Sequence, residues 1–255
     1  MTRVDDTGMG EGPGRFPATR WSAVLGARSE DRKERDRSLE TLVSAYWKPV
    51  YKYIRIKWRR SNEDAKDLTQ EFFARAMEKK FFASYDPARG RFRTFLRVCL
   101  DGFLSNESRD ARRIKRGGGA FHLSLEFERA EGELAAADPP SPESIERTFD
   151  REWVRSLFEI AVEALREECA RRGREAHFKL FERYDLDAAG SGRATYQDLA
   201  AELGITVTQV TNYLSIARRE FRRILLETLR AVTASDEEYR LEARTLLGKD
   251  AAGDA

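Results

Sequence analysis

The side chains best suited to a chemical role lie between Thr195 and Arg223, and they fit recognition rather than catalysis. Small hydroxyl and amide groups come first: Thr208, Gln209, Thr211, Asn212 and Ser215. Guanidinium groups follow directly: Arg218, Arg219, Arg222 and Arg223. Hydroxyl and amide groups can form hydrogen bonds with base edges, and guanidinium groups can bind phosphates. This order favours a surface that binds a nucleic acid.

Two helices joined by a tight turn must present these side chains. Thr195 can cap the first helix, because Asp198 follows three residues later, and Gly204 suits the left-handed residue that ends it. Thr206 and Gln209 form a second capping box directly afterwards. The inner faces consist of Tyr196, Leu199, Ala200, Leu203, Val210, Leu214, Ala217 and Phe221. The pattern predicts a helix-turn-helix, although an ordinary αα-hairpin with a solvated basic face has the same spacing.

The chain as a whole is highly charged but nearly balanced. Of 255 residues, 35% are charged, and the formal net charge is only +2, so any basic surface is local. Cys99 and Cys169 lie far apart, without disulfide or metal-ligand spacing. His122 and His177 likewise lack a partner at ligand spacing. These features predict a reducing, cytoplasmic location, no metal and no cofactor.

Motifs of catalysis and of membrane insertion are missing from the sequence. There is no nucleophile–base pair, and the triple glycine at 117–119 is not followed by the Lys-Ser/Thr of a phosphate-binding loop. The residues after Asp185 resemble a calcium loop, but Tyr196 stands where the bidentate carboxylate belongs. No apolar run is long enough to span a membrane. We therefore expect a protein that is not an enzyme and does not insert into a membrane.

Two helices are predicted in the first part of the chain, after a disordered tail at 1–15. Phe16–Ala27 has the apolar spacing of a short helix, and Ser29–Arg37 reads as a charged connector. Apolar residues then recur with a helical period from 39 to 58, which predicts a long helix. Pro49 interrupts this pattern, so we expect a kink there.

An acidic stripe follows on the next helix, which Ser61 or Asn62 can cap. The stripe consists of Asp64, Asp67, Gln70 and Glu71. Carboxylates in a first turn complement the helix dipole, and this explanation needs no ligand. The same stripe is also suited to docking on a basic partner. The spacing alone leaves both interpretations open.

An aromatic loop and a basic helix come next. Residues 79–91 include three aromatic side chains, and the following helix runs into 105–116, where five basic residues stand against two acidic ones. Aromatic and basic side chains together can hold unstacked single-stranded bases and their phosphates. A solvated helix end above core aromatics gives the same pattern. The candidate DNA-binding residues here are Phe82, Tyr85, Arg91, Arg93, Arg109, Arg112 and Arg113.

The second half of the chain begins after an acidic segment. Residues 126–150 contain eight acidic residues against two basic ones, with three prolines, which predicts a flexible linker. Helices are expected at 149–171 and 175–184, beneath the helix-turn-helix, and at 235–247. The predicted fold is all-α, with two small helical domains. Its parts are a tail at 1–15, a domain at 16–116, a linker at 117–148, a helix-turn-helix domain at 149–232 and a C-terminal extension at 233–255.

Three segments, in this order, resemble the sigma-70 family of bacterial RNA polymerase sigma factors, in its small extracytoplasmic-function (ECF) group. DAKDLTQEFFARAM resembles the family's DAEDLxQExFxRxW helix. FRTFLRVCLDGFLSNESRDARR resembles its FRxWLxxIARNxxxDxxRR helix. LAAELGITVTQVTNYLSIARREFRR resembles its LAxxLGxSxxTVKSRLxRARxxLR helix-turn-helix. The resemblance extends over nearly the whole chain.

The resemblance implies a specificity subunit for transcription initiation. The acidic stripe would face the β′ clamp helices of core RNA polymerase, and the β flap would be a further contact. The aromatic loop and basic helix would open and read the −10 element of promoter DNA, and the helix-turn-helix would read the −35 element. An anti-sigma factor is a further expected partner. The acidic linker would thread the polymerase near the RNA exit path.

Some residues depart from the family pattern. Lys66 replaces a carboxylate in the acidic helix, and Gly102 and Asn106 replace the family's Asn and Asp in the second helix. Residues 211–213 are less basic than the KSR of the family pattern. The promoter sequence that family members recognise therefore cannot be assigned to this protein. Thr69 lies within the acidic helix, and phosphorylation by a Ser/Thr kinase would add negative charge there. A free-standing helix-turn-helix regulator, acting without polymerase, is the alternative function.

Overall fold

The computed structural model describes residues 22–78, 84–110, 125–136, 145–187 and 194–248. Within these residues the chain forms ten α-helices and no strand, which confirms the all-α prediction. The helices are α1 (Ala23–Gly26), α2 (Arg32–Lys57), α3 (Asn62–Glu78), α4 (Phe92–Asp110), α5 (Phe127–Ala135), α6 (Ile145–Arg171), α7 (Glu175–Phe181), α8 (Tyr196–Leu203), α9 (Val207–Ala231) and α10 (Asp236–Leu247).

Helix α2 is the central element of the amino-terminal half. Its cap is Asp31, whose carboxylate accepts a hydrogen bond from the Lys33 amide at 2.9 Å. Because of this cap, α2 begins before Leu39 and includes residues that the sequence pattern assigned to a connector. Pro49 lies inside α2 without ending it. The buried face of the helix extends from Leu39 to Ile54.

The main core is aromatic and includes side chains from both halves of the chain. The Tyr46 ring of α2 lies 5.7 Å from Phe92 of α4 and 6.2 Å from Trp153 of α6, measured between ring centroids. All three side chains are almost completely buried. Aromatic side chains of this size contribute strongly to the stability of a core. The core therefore joins the amino-terminal helices directly to α6.

Helix α6 contacts both halves of the protein. Near its start, Phe149 packs edge-on against Tyr53 of α2, with ring centroids 5.5 Å apart. In its middle, Phe158 lies 5.8 Å from Phe221 of α9. One continuous helix of 27 residues thus links α2 to the helix-turn-helix. The division into domains at 16–116 and 149–232 stays a prediction.

Part of the predicted linker is a docked helix. The Phe127 ring of α5 lies 5.4 Å from Trp47 and 5.1 Å from Tyr51, both on α2. Ala130 of α5 is fully buried. For residues 125–136 the structure departs from the prediction of a flexible tether, because α5 has an apolar face that α2 covers. Residues 117–124 and 137–144 lie outside the described residues.

A second, smaller core lies under the helix-turn-helix. It is built from α7, α8 and α9, as the sequence predicted, with π-helical turns at Glu182–Leu186 following α7. Its buried members are Leu180, Leu199, Ala200, Val210 and Leu214. This small core fixes the angle between α8 and α9, and so determines which side chains of α9 face outward.

Candidate nucleic-acid interface

Both predicted capping boxes form. The Asp198 amide donates to Thr195 Oγ1 at 3.2 Å, and the Thr195 amide donates to Asp198 Oδ2 at 3.0 Å. The Thr206–Gln209 pair repeats the arrangement at 3.2 Å and 2.8 Å. Between them Gly204 has a φ of +65°, in the left-handed region. These local interactions end α8 and begin α9 within a few residues, as a helix-turn-helix requires.

The outer face of α9 is the polar surface that the sequence predicted. Val210, Leu214 and Ala217 are buried, and the intervening positions face solvent except for the half-buried Tyr213 and Ile216. The exposed candidates are Thr208, Gln209, Thr211, Asn212, Ser215, Arg218, Arg219 and Arg222. The Gln209 amide oxygen is held in the capping box at 2.8 Å from the Thr206 amide, so its amide N–H groups remain to contact a base. The geometry fits a helix that enters a major groove.

The arginines at the end of this face differ in their surroundings. Arg218 forms two hydrogen bonds of 2.9 Å with the carboxylate of Asp185, and its guanidinium lies 5.4 Å from the centroid of the Tyr184 ring. Arg223 is bonded to Glu168, Glu220 and Glu227. Arg219 and Arg222 are exposed. A phosphate would therefore have to compete with Asp185 for Arg218.

The acidic stripe lies on the surface of α3. Asp64 and Asp67 are exposed, and Gln70 and Glu71 are half-buried. Glu71 forms an ion pair with Arg75 at 2.5 Å, and Arg75 also contacts Glu107 of α4 at 2.7 Å. The Ser61 hydroxyl caps the helix by accepting a hydrogen bond from the Asp64 amide at 3.1 Å. Asp64 and Asp67 are thus the carboxylates of the stripe that are best presented to a partner.

Thr69 is not presented to a partner. Its side chain is fully buried, and its hydroxyl donates to the Ala65 carbonyl at 2.7 Å. A Ser/Thr kinase needs an accessible hydroxyl in an extended segment, whereas Thr69 is in the middle of α3 on its inner face. The structure therefore opposes the phosphorylation hypothesis.

The aromatic loop is described only in part. Phe82, Arg112 and Arg113 lie outside the described residues, and nothing is described of the Arg109 side chain, although α4 includes its backbone. Tyr85 is 4% exposed, and its hydroxyl donates to the Gly90 carbonyl at 2.8 Å.

Tyr85 belongs to the core rather than to an open stacking surface. Its ring lies 5.2 Å from Phe92 and 5.1 Å from Phe95, between centroids. In this conformation the ring cannot stack on a base. A role for Tyr85 in DNA binding stays a prediction that this packing opposes.

Arg93 is also buried, contrary to the prediction of a surface cation. It is 7% exposed, and its guanidinium lies 4.8 Å from the centroid of the Trp153 ring. It forms ion pairs with Glu242 at 2.9 Å and with Asp150 at 3.1 Å. Arg91 shares Glu242, at 3.4 Å. These pairs occupy both arginines because α10 and α6 bring carboxylates to the start of α4.

The sequence pattern missed Glu238 and Glu242, the two carboxylates of α10 that lie against the start of α4. Glu238 accepts hydrogen bonds from the Phe92 amide at 2.7 Å and from the Ala234 amide at 2.8 Å. Burial raises the pKa of Glu242, and the arginines beside it oppose that effect. A sequence signal was present: these two glutamates flank the apolar Tyr239 at helical spacing, on the face that the helix must bury.

Burial disfavours the charged forms of both cysteines and of His177. Burial raises the pKa of the Cys99 thiol to about 11 and also raises that of Cys169. Burial and then Arg174 lower the pKa of His177. Within the described residues, no cluster of His, Cys, Asp and Glu could hold a metal ion, and no helix is long and apolar enough to cross a membrane.

Comparison with known families finds one match, to part of the chain. Residues 42–114 match the family model of sigma-70 region 2. The match takes in most of α2, all of α3 and all of α4, and so includes the acidic stripe and the start of the basic segment. It supports a role in promoter recognition with RNA polymerase.

This match covers less than a third of the chain. A search of curated proteins finds no match to the sequence, and a search of solved structures finds none either. The ECF type and the function of the helix-turn-helix therefore have to be inferred from the residues themselves.

Proposed function

We propose that the protein is a sigma factor of the ECF type that binds core RNA polymerase and directs transcription initiation at promoters. One observation carries the proposal: a sigma-70 region 2 domain and a doubly capped helix-turn-helix occur in the same chain. A region 2 domain needs a second DNA-binding module to recognise a two-part promoter. The exposed polar face of α9 is suited to be that module.

The proposed polymerase contact is the exposed part of α3. Asp64 and Asp67 lie on the surface of the region 2 domain. Exposed carboxylates on one helix face favour association with a basic surface and set its orientation. By the resemblance, that surface belongs to the β′ clamp helices. Glu71 contributes less in this proposal, because Arg75 already neutralises it.

The proposed −35 contact is the outer face of α9. Its first turns carry hydroxyl and amide groups that can reach base edges, and Arg219 and Arg222 lie further along, where the helix would cross the backbone. A contact between the same domain and the polymerase β flap is also part of the proposal. An anti-sigma factor stays a predicted partner.

A free-standing regulator is the alternative function. Such a protein would need the helix-turn-helix but not an acidic surface for polymerase. The region 2 match favours the sigma factor, since this domain is a part of sigma-70 proteins. The two functions differ in one measurable property, which is direct binding to core RNA polymerase.

The deciding experiment is capture of purified bacterial core RNA polymerase by the full-length protein. We expect the wild type to capture it and the Asp64→Arg/Asp67→Arg double variant to lose capture, because like charges would then face the basic partner surface. Glu167→Arg is the control, since Glu167 is an exposed carboxylate on α6, away from the acidic stripe.

Three outcomes separate the functions. Loss of capture by the α3 variant alone supports the proposed docking surface. Equal capture by all proteins supports a sigma factor but rejects Asp64 and Asp67 as its contacts. Absence of capture by the wild type, together with binding of double-stranded DNA, favours the free-standing regulator.

A further inference from the structure

The C-terminal helix α10 lies against the start of α4, where the proposed −10 contact begins. Glu238 accepts a hydrogen bond from the Phe92 amide at 2.7 Å, and Glu242 lies 2.9 Å from Arg93 and 3.4 Å from Arg91. First-turn amides and guanidinium groups are also the groups with which proteins bind phosphates. Two carboxylates of α10 thus occupy positions that suit the phosphates of a nucleic acid.

We propose that α10 is an autoinhibitory latch, which holds the −10 DNA-binding surface of the region 2 domain closed until DNA displaces it. The inference rests on the proposed function, because it assigns a regulator to the same surface. If α10 and DNA compete for the same cations, each lowers the apparent affinity of the other by the same factor. The latch therefore lowers the affinity of the protein for promoter DNA as long as α10 stays docked.

The groups that the latch covers are those predicted to bind DNA. Glu242 and Arg93 are 1% and 7% exposed, so their ion pair is shielded from solvent. The Tyr85 hydroxyl lies 3.5 Å from Glu238. Withdrawal of α10 would remove two carboxylates from this surface and leave Arg91 and Arg93 able to bind an anion. Asp150 of α6 would remain near Arg93, at 3.1 Å.

The attachment of α10 allows it to leave. It follows α9 after a short connection, and its Ser235 cap, at 3.1 Å from the Glu238 amide, lies within its own chain segment. Its apolar contacts with the core come from Tyr239, Ala243, Leu246 and Leu247, whereas Leu241 is 45% exposed. Release uncovers these four side chains, so DNA must offset that cost when it displaces the helix. A free helix of 12 residues is marginal in water, so its amides should exchange rapidly once it is released.

The test combines two measurements on the full-length protein. Hydrogen exchange at 236–247 reports release of α10, and fluorescence anisotropy reports binding of a labelled single-stranded DNA of mixed sequence. The variant is Glu238→Gln/Glu242→Gln. Its control is Glu237→Gln, which removes one carboxylate from the exposed side of the same helix.

We expect faster exchange in the double variant and about tenfold tighter DNA binding, because apparent affinity scales with the fraction of open molecules. Glu237→Gln should change neither quantity. DNA added to the wild type should also accelerate exchange in α10. This last arm needs no variant, so it decides the question even if the double variant folds poorly.

Several results overturn the latch. One is DNA binding to the wild type that leaves exchange in α10 unchanged. Another is faster exchange without tighter DNA binding, in a variant that still captures core RNA polymerase; the sigma function then stands. Failure of every protein, wild type included, to capture polymerase removes the sigma function instead, and the exchange and anisotropy results still decide whether α10 competes with DNA.

Discussion

The Lys52 ammonium of α2 lies 2.6 Å from the Glu152 carboxylate of α6, and the two side chains are 3% and 7% exposed. Glu133 of α5 lies 2.6 Å from the same ammonium and 3.1 Å from that of Lys48. This buried network joins three helices that are distant in sequence. It therefore holds α2 and α5 against α6, the helix that leads to the helix-turn-helix.

Breaking this network should destabilise the protein strongly. Lys52→Met removes the cation and leaves the buried carboxylate of Glu152 without its ammonium partner, whereas Glu133, which is 23% exposed, keeps its ion pair with Lys48. Removing one partner of a buried ion pair typically costs about 3–5 kcal/mol. We expect a loss of that size in the free energy of unfolding, measured by urea denaturation.

Lys57→Met is the matched control for this substitution. Lys57 lies on the same helix and pairs with Asp101 at 2.8 Å, but the two side chains are 36% and 32% exposed. Pairs near the surface typically contribute at most about 1 kcal/mol. Equal losses for the two variants would show that burial of the Lys52 network adds nothing.

Local features of this protein could be predicted from sequence, and long-range ones could not. The two capping boxes and the left-handed Gly204 depend on residues within three positions of one another, so the sequence displays them directly. The docking of α5 and α10 depends on partners far along the chain. An acidic, proline-containing segment has the composition of a linker. That composition does not show that Lys48 and Lys52, far along the chain, form ion pairs with one of its glutamates.

The same limit explains the errors at the candidate site. Arg93 and Tyr85 are polar or amphipathic, and such residues are usually assigned to a surface. The structure buries them because Glu238 and Glu242 satisfy the polar groups of this region from another part of the chain. Thr69 is a separate case with a local cause, because its hydroxyl bonds to the carbonyl one turn earlier and so allows a polar side chain on the inner face of α3.

Two glycines should respond to alanine in opposite directions. Gly204 has a φ of +65°, and an added Cβ would meet no atom within 4 Å, so the cost of Gly204→Ala is backbone strain alone. We expect a loss of about 1 kcal/mol. Gly102 is exposed within α4 and is equally open around its Cα, so Gly102→Ala should gain about 0.5–1 kcal/mol. Thermal unfolding of both variants checks the difference in sign, and a gain at Gly204 would contradict the left-handed turn.

Acid should weaken the contact of α5 with α2. A hydrogen bond from Arg55 lowers the pKa of Glu131. Burial tends to raise the pKa of Glu133, but hydrogen bonds from Lys52 and Lys48 outweigh it, and the net pKa is lowered. Since both pKa values are lower in the folded state, their stabilisation is present above the ordinary value of about 4.5 and is lost as the pH falls through the folded values.

The Glu131→Gln/Glu133→Gln variant isolates this effect. At neutral pH it should be less stable than the wild type in urea denaturation. The difference should shrink as the pH falls below about 4.5, because the wild-type carboxylates then become protonated as well. A difference that stays constant with pH would assign the loss to packing rather than to charge.

Arg218 should bind DNA more readily when Asp185 no longer holds it. The two hydrogen bonds of 2.9 Å from Arg218 to Asp185 must break before the guanidinium can contact a phosphate. Asp185→Asn should therefore tighten binding of double-stranded DNA and steepen the dependence of log K on log salt by about one unit, the contribution of one added phosphate contact.

Asp187→Asn is the control, since Asp187 is a nearby carboxylate that pairs with Arg183 at 3.5 Å. It removes the same charge without freeing Arg218, so it should leave the slope unchanged. If the slope of log K against log salt is the same for both variants, the effect comes from net charge alone. If only Asp185→Asn has a steeper slope, Arg218 contacts a phosphate of the DNA backbone.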